Sequence, residues 1–178
     1  MIILANNPLF NGIAPNVLTE DLREINFHTR IYRKGEILAH QGDVCNRLVI
    51  LIKGSVRGEM IDDSGRLIKV EDIAAPRAIA PLFLFGNENR YPVEVTANEA
   101  TEVIEIPKTS VLKLFRKNEK FLENYMNLSA NYAHTLSDKL FFMSFKTIRQ
   151  KLASYLLRLS NQQQSEHITL NRSQQQLS

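Results

Sequence analysis

The side chains that most often carry out chemistry in proteins are sparse in this chain and far apart along it. It has four histidines, His28, His40, His134 and His167, and one cysteine in 178 residues. A metal-dependent enzyme on a β-barrel needs two or three histidines and a carboxylate that converge on one ion. No His-x-His pair occurs. The sequence therefore predicts a protein that is not an enzyme.

The single cysteine, Cys45, restricts the chemistry further. One thiol can form no internal disulfide and no site in which several cysteines bind a metal. A redox-sensitive thiol is the remaining role, although no neighbour in sequence clearly activates it.

Composition and charge are those of an ordinary globular protein. Hydrophobic residues make up 44% and charged residues 23% of the chain, and apolar runs such as Leu48 to Ile52 are too short to span a bilayer. The first residues lack the basic region of a signal peptide. We expect a cytoplasmic protein with no membrane partner. The net charge of +3 is only a weak indication of a nucleic-acid partner.

Changes in the spacing of apolar residues divide the chain into helical and β regions. Residues 7–24 have helical spacing, and residues 25–106 hold short runs rich in Ile and Val that are separated by turns such as Lys53-Gly54. A short helix is expected at 108–116. The predicted fold class is α+β: a jelly-roll β-barrel with flanking helices, followed by a long helix.

Residues 118–143 contain no Gly or Pro, and this predicts one long helix. Apolar or small residues recur at spacings that alternate between four and three residues, as in the seam of a two-stranded coiled coil. This seam is Leu122, Met126, Ser129, Ala133, Leu136, Leu140 and Met143. A second stripe, which includes Phe121 and Tyr125, is expected to face the barrel. We predict a homodimer through the seam; the alternative is a helix buried wholly within a monomer.

The last residues resemble the beginning of a helix-turn-helix. A second helical run, 147–159, and a polar loop precede a capping residue, Asn171 or Ser173. The expected domains are a sensor barrel at 1–117, a dimerisation helix at 118–146 and the incomplete start of a winged helix-turn-helix at 147–178. Near the DNA phosphates we expect Arg172, Ser173 and Gln174.

Several short motifs together resemble the Crp/Fnr family of bacterial transcription regulators. Arg33-Lys-Gly-Glu36 and Gln41-Gly-Asp43 are similar to the family's entry to the barrel, and Leu48 to Val56 is similar to its strand-turn-strand. Arg149-Gln-Lys-Leu-Ala153 fits the first helix of its DNA-binding domain. The resemblance covers nearly the whole chain. It implies a cyclic-nucleotide-binding-like barrel, a homodimer and a DNA partner.

The chain departs from the family at the phosphate-binding turn. Cyclic-nucleotide binders of this family carry Gly-Glu before that turn and Arg-Ser or Arg-Thr after it. Alignment on Leu84-Phe85 places Ala80-Pro81 and Tyr91-Pro92 at these positions. Arg90 is one residue early, so in a strand its side chain would point to the opposite face. We expect no cyclic AMP binding, and an iron–sulfur cluster is excluded because it takes four cysteines.

The segment around these departures is apolar, and it is either barrel core or a pocket for a flat apolar ligand. The predicted lining is Ile79, Ala80, Leu82, Phe83, Phe85, Tyr91, Pro92, Tyr125, Leu128 and Tyr132. The segment resembles the HcpR subgroup, which controls nitrosative-stress genes and of which some members bind heme to sense nitric oxide. That resemblance implies heme with His or Met as an axial ligand. The ligands considered are Met60, Met126 and His134, each of which has a more common structural role.

The favoured interpretation is a dimeric DNA-binding transcriptional regulator that senses a small signal, with nitric oxide through heme as one hypothesis. Binding between the barrel and the long helix would change how two such helices cross, and hence the spacing of the DNA-reading helices. Two alternatives stay open. One is a regulator with another apolar effector, and the other is an interaction module with no small-molecule ligand.

Overall fold

The computed structural model describes residues 6–61, 65–145 and 147–165, together with Leu4 and His167. The side chains of Phe142, Arg158 and Gln162 are outside this description. The chain forms two compact units, residues 1–130 and residues 131–178. The three domains expected from the sequence have other boundaries than these two units, and that division stays a prediction.

The first unit is built on eight strands that form two antiparallel four-stranded sheets. The strands are β1 (His28–Tyr32), β2 (Ile37–Ala39), β3 (Arg47–Lys53), β4 (Ser55–Ile61), β5 (Leu67–Ala74), β6 (Ala78–Ile79), β7 (Glu94–Ala97) and β8 (Thr101–Pro107). One sheet has the order β1-β8-β3-β6 and the other β2-β7-β4-β5. This jelly roll with flanking helices confirms the predicted fold class.

The core lies between the two sheets. The apolar run in β3 is buried on both faces, and Ile50 and Leu51 are fully covered. A tight turn at Gly54 joins β3 to β4 with φ +84°, a conformation that favours glycine. A Cβ at Gly54 would lie 2.7 Å from the carbonyl oxygen of Ala100. The turn signal Lys53-Gly54 therefore marks a position that only glycine fits.

Within the described residues, four α-helices flank the barrel or follow it in sequence. They are α1 (Pro15–Arg23), α2 (Lys108–Lys117), α3 (Glu119–Ser144) and α4 (Ile148–Gln163), and a 3-10 turn, Pro8–Phe10, precedes α1. Thr147 begins α4 with a reciprocal capping box to Gln150. In the described part of the chain, no helix is long and apolar enough to cross a membrane.

Side-chain hydrogen bonds fix the start of α3 on the N-terminal segment. Asn118 accepts from the Phe121 backbone N–H at 3.0 Å as the helix cap, and its Nδ2 donates to buried Asp21 at 2.7 Å. Six residues later, Asn124 Nδ2 donates to the carbonyl oxygens of Leu9 at 3.1 Å and Asn11 at 2.8 Å. These bonds orient the first turns of the long helix on the first unit.

Candidate effector site

The apolar segment singled out in the sequence forms a distinct element, residues 78–92, here called the cassette. It begins with β6, continues through a short 3-10 helix, Pro81–Leu84, and ends at a bridge between Arg90 and Val44. The sequence pattern did not predict that short helix. Pro81 stands at its first position, where a proline loses no intrahelical hydrogen bond. Ala80, just before it, has φ 45° and ψ 40°.

Tyr125 of α3 holds the start of the cassette helix. Its side chain is 6% exposed, and its hydroxyl donates a short hydrogen bond to the carbonyl oxygen of Pro81. Its ring meets Phe85 edge-on, with centroids 5.8 Å apart, and Phe115 in the same way at 5.0 Å. Burial raises the pKa of the Tyr125 hydroxyl, so it stays a proton donor at neutral pH. The cassette and the long helix are thus joined by one polar contact and one aromatic contact, and Phe115 of α2 packs against the same tyrosine ring.

The far end of the cassette is bonded to the turn before β3. The guanidinium of Arg90 is exposed, and its Nη1 donates to the carbonyl oxygen of Gly42 at 2.8 Å. The backbone around this contact is also hydrogen-bonded. The Tyr91 N–H donates to the carbonyl oxygen of Asp43, and the Gly42 N–H donates to the carbonyl oxygen of Tyr91, each at 2.9 Å. The Arg90 side chain therefore faces outward while the Tyr91 side chain is buried.

Tyr91 lies beside the only cysteine. Burial raises the pKa of the Tyr91 hydroxyl, and neighbouring Cys45 adds to the shift. Burial likewise raises the pKa of the Cys45 thiol, although a hydrogen bond with Tyr91 and the positive charge of Arg47 oppose it. Because the thiol is 1% exposed and remains protonated, it lacks the access and the thiolate form of a redox sensor.

The residues predicted to line the pocket differ in burial. Ile79, Tyr91 and Tyr125 belong to the hydrophobic core, and those packed against it are Ala80, Phe83, Phe85 and Leu128. Leu82 and Pro92 are half-buried. Tyr132 belongs to the second unit and is 39% exposed. Every described side chain from 130 to 141 is exposed.

The three residues considered as heme ligands do not share a buried position. Met126 is 61% exposed, His134 is exposed, and half-buried Met60 pairs with Ile68 in the β4–β5 hairpin. At 3.6 residues per turn, His134 lies on the helix face opposite Tyr125. Among the described residues, no group of three or more His, Cys, Asp or Glu side chains could hold a metal ion.

The predicted seam of the long helix is mostly uncovered. Leu122 and Ser129 are half-buried, whereas the exposed members are Met126, Ala133, Leu136, Leu140 and Met143. The three residues predicted near DNA, Arg172, Ser173 and Gln174, lie outside the described residues.

Two contacts of the candidate site could not be read from the patterns described above. Phe115 joins Phe85 and Tyr125 from α2, and the helical spacing of Val111, Leu114 and Phe115 was the signal that could have found it. The acceptor of the Tyr125 hydroxyl is a backbone carbonyl, for which no side-chain pattern gives a signal.

The barrel, the cassette and the long helix define the class of fold, a jelly roll of two antiparallel sheets with flanking helices. Residues 29–118 match the family described as "Cyclic nucleotide-binding domain", and the chain belongs to that family. Among its relatives are the cyclic AMP receptor protein of Thermus thermophilus, 28% identical over 167 residues (89% of this chain, 72% of the relative). The transcriptional regulator CRP of Escherichia coli is 30% identical over 138 residues (76% and 64%).

Other relatives and solved structures agree with this family. The transcriptional activator Anr of Pseudomonas aeruginosa is 27% identical over 141 residues, which are 79% of this chain and 57% of that protein. The crystal structure of the Thermus thermophilus catabolite activator protein superposes with a TM-score of 0.70 at 26% identity, covering 87% of this chain and 71% of that one. This chain thus spans only part of each of these proteins.

Proposed function

We propose that this chain is the sensing and dimer-forming part of a DNA-binding transcriptional regulator whose effector is not cyclic AMP. The observation that carries the proposal is the position of Arg90 and Tyr91 in the cassette. At the place where the family's binders carry an arginine, a buried tyrosine stands, and the neighbouring Arg90 is bonded outward to Gly42.

The chemistry of a cyclic phosphate explains why this exchange matters. A phosphate that enters a closed site must exchange water for charged or N–H donors, because an unpaired buried charge is costly. Tyr91 offers a neutral hydroxyl beside Cys45. Pro81 and Pro92, which flank the turn, have no N–H to donate. An uncharged, apolar effector that packs against the rings of Phe85 and Tyr125 suits these residues better.

The exposed seam of α3 supports the proposal of a homodimer. Leu136, Leu140 and Met143 present apolar side chains to solvent at coiled-coil spacing. A second copy of the helix would cover them. The paired helices would then set the distance between two DNA-binding domains. We assign residues 147–178 to this domain and the whole protein to the cytoplasm.

Heme fits this chain less well than another apolar effector. Met126 and His134 are exposed and Met60 lies in a hairpin, so none of the three is a buried axial ligand at the cassette. A second function is favoured by the packing itself: Ile79, Leu84 and Tyr91 already belong to the core. A regulator or interaction module without a small-molecule ligand needs no further space there.

Two titrations of the purified chain test the effector. In calorimetry we expect no saturable heat with cyclic AMP at millimolar concentration. In visible absorption spectra we expect no saturable shift of the Soret band with hemin, in the presence or absence of nitric oxide. A stoichiometric cyclic AMP isotherm at micromolar affinity would contradict the proposal. Saturable hemin binding that is lost in Met126→Ala or His134→Ala would restore the heme hypothesis.

The DNA-binding function is tested on the native protein in its own cells. Chromatin immunoprecipitation is expected to enrich two-fold symmetric sites upstream of genes, since a symmetric dimer reads two half-sites. Enrichment no greater than in an untagged strain would leave the interaction module as the better assignment.

A further inference from the structure

Ala80 has a backbone conformation that alanine rarely adopts. Its φ of 45° and ψ of 40° lie in the left-handed region, where a Cβ crowds the following carbonyl oxygen. Among the described residues only one other non-glycine residue, Gln164, has a positive φ. Such a conformation persists where the surrounding structure holds it, and it is found most often at ligand clamps and switch regions.

The contacts that hold Ala80 lie directly after it. The carbonyl oxygen of Pro81 accepts from the Tyr125 hydroxyl, here called the latch, and the Phe83 N–H donates to the carbonyl oxygen of Ala80 at 3.1 Å. On the other side, Ile79 is paired with Val49 of β3. Ala80 is therefore the single residue between a segment fixed to the sheet and a segment fixed to the long helix.

At the end of the cassette helix, aromatic contacts continue the attachment to the helices. Phe85 packs against the rings of both Phe115 and Tyr125, and the ammonium group of Lys108 is 4.9 Å from the Phe85 ring centroid. A cation at this distance from a ring face is attracted to it. The cassette helix is thus held against α2 and α3 at both of its ends.

We propose that the latch between Tyr125 and Pro81 keeps the cassette helix in a strained, closed position, with Ala80 as the hinge. When the latch breaks, Ala80 leaves the left-handed region and the cassette helix moves away from α3. This inference deepens the proposed function, on which its regulatory meaning rests: a largely apolar effector with one uncharged N–H or O–H donor opens the cassette by replacing the tyrosine hydroxyl at the Pro81 carbonyl. The closed position itself needs no effector.

Hydrogen–deuterium exchange of the cassette peptides tests the latch. Tyr125→Phe keeps the ring and removes the hydroxyl, so we expect the amides of residues 79–86 to exchange about fivefold faster, the effect of one net hydrogen bond. Glycine takes a positive φ without strain. The double variant Tyr125→Phe with Ala80→Gly is therefore expected to exchange about tenfold more slowly than Tyr125→Phe alone.

Tyr132→Phe is the matched control, since it removes a tyrosine hydroxyl from the exposed stretch of the same helix; we expect wild-type exchange in the cassette. Equal exchange in wild type and Tyr125→Phe would overturn the latch. Equal exchange in Tyr125→Phe and the double variant would overturn the strained hinge. A urea unfolding curve for each variant separates local opening from global destabilisation. None of these measurements depends on an effector or on DNA, so the latch can fail while the proposed regulator stands.

Discussion

The aromatic stripe in the first half of the long helix and the apolar seam in its second half have different environments. In the first half, Phe121 and Tyr125 are buried against the barrel and the N-terminal segment. In the second half, Leu136, Leu140 and Met143 are exposed. The difference shows that helical periodicity identifies an apolar face but does not identify what covers it. That depends on which neighbours the fold supplies.

Polar contacts divide the helix in the same way. In the first half, Asn118 and Asn124 bond to residues far away in sequence. In the second half, Thr135 and Ser144 hydroxyls bond back to their own helix, at Asn131 and Phe141. Burying one exposed leucine side chain contributes about 1.5–3 kcal/mol. In the proposed dimer, burial of the apolar face of the second half would therefore contribute favourable free energy.

The largest effect is expected from truncating a buried ring in the first half. Phe121 is 1% exposed and stacks on Phe10 with centroids 5.3 Å apart. Phe121→Ala should lower the free energy of unfolding by about 3–5 kcal/mol because it leaves a cavity in the core. Leu136→Ala, measured at a dilution where the chain is monomeric, should change it by less than about 0.5 kcal/mol. Urea unfolding measures both, and equal losses would remove the contrast between the halves.

The second prediction concerns the association of the exposed half. Leu140→Asp places two carboxylates face to face in the seam of the proposed dimer, where they would be desolvated without a partner. We expect the dimer dissociation constant to rise about a hundredfold or more. Analytical ultracentrifugation over a range of concentrations measures it.

The control for that experiment is His134→Asp, an equally acidic change on the same helix but outside the seam. We expect it to leave the dissociation constant within about threefold of wild type. If the unchanged chain sediments as one chain at micromolar concentration, or if both variants weaken association equally, the seam is not an interface.

The sequence was sufficient to predict the barrel, the long helix and its two apolar stripes. Turn signals such as Lys53-Gly54 have local causes, and local patterns reveal them. The closed cassette could not be predicted in the same way. Its short helix depends on Ala80 in a conformation that sequence does not favour and on a bond to the Pro81 carbonyl from a residue 44 positions away. Contacts between distant residues and backbone atoms leave no periodic pattern.

The smallest effect is expected in the alkaline range, where the buried tyrosine of the first half ionises only with difficulty. Burial raises the pKa of Tyr125, whereas a tyrosine in the unfolded chain loses its proton at about pH 10. Above that pH the folded state binds more protons than the unfolded state, so stability falls as pH rises. Tyr125→Phe removes this proton difference. Between pH 9 and pH 11 we therefore expect the variant to lose about 1 kcal/mol less unfolding free energy than wild type.

The matched change in the exposed half is Tyr132→Phe, which removes a hydroxyl from a ring that is 39% exposed. Urea unfolding at pH 9, 10 and 11 gives the slope for each protein. Tyr91 is buried in the same unit and its raised pKa acts in the same direction, so wild type and Tyr132→Phe should both retain a steep decline. A Tyr125→Phe slope as steep as wild type would show that Tyr125 ionises as freely as an exposed tyrosine, and the two halves of the helix would then not differ in this respect.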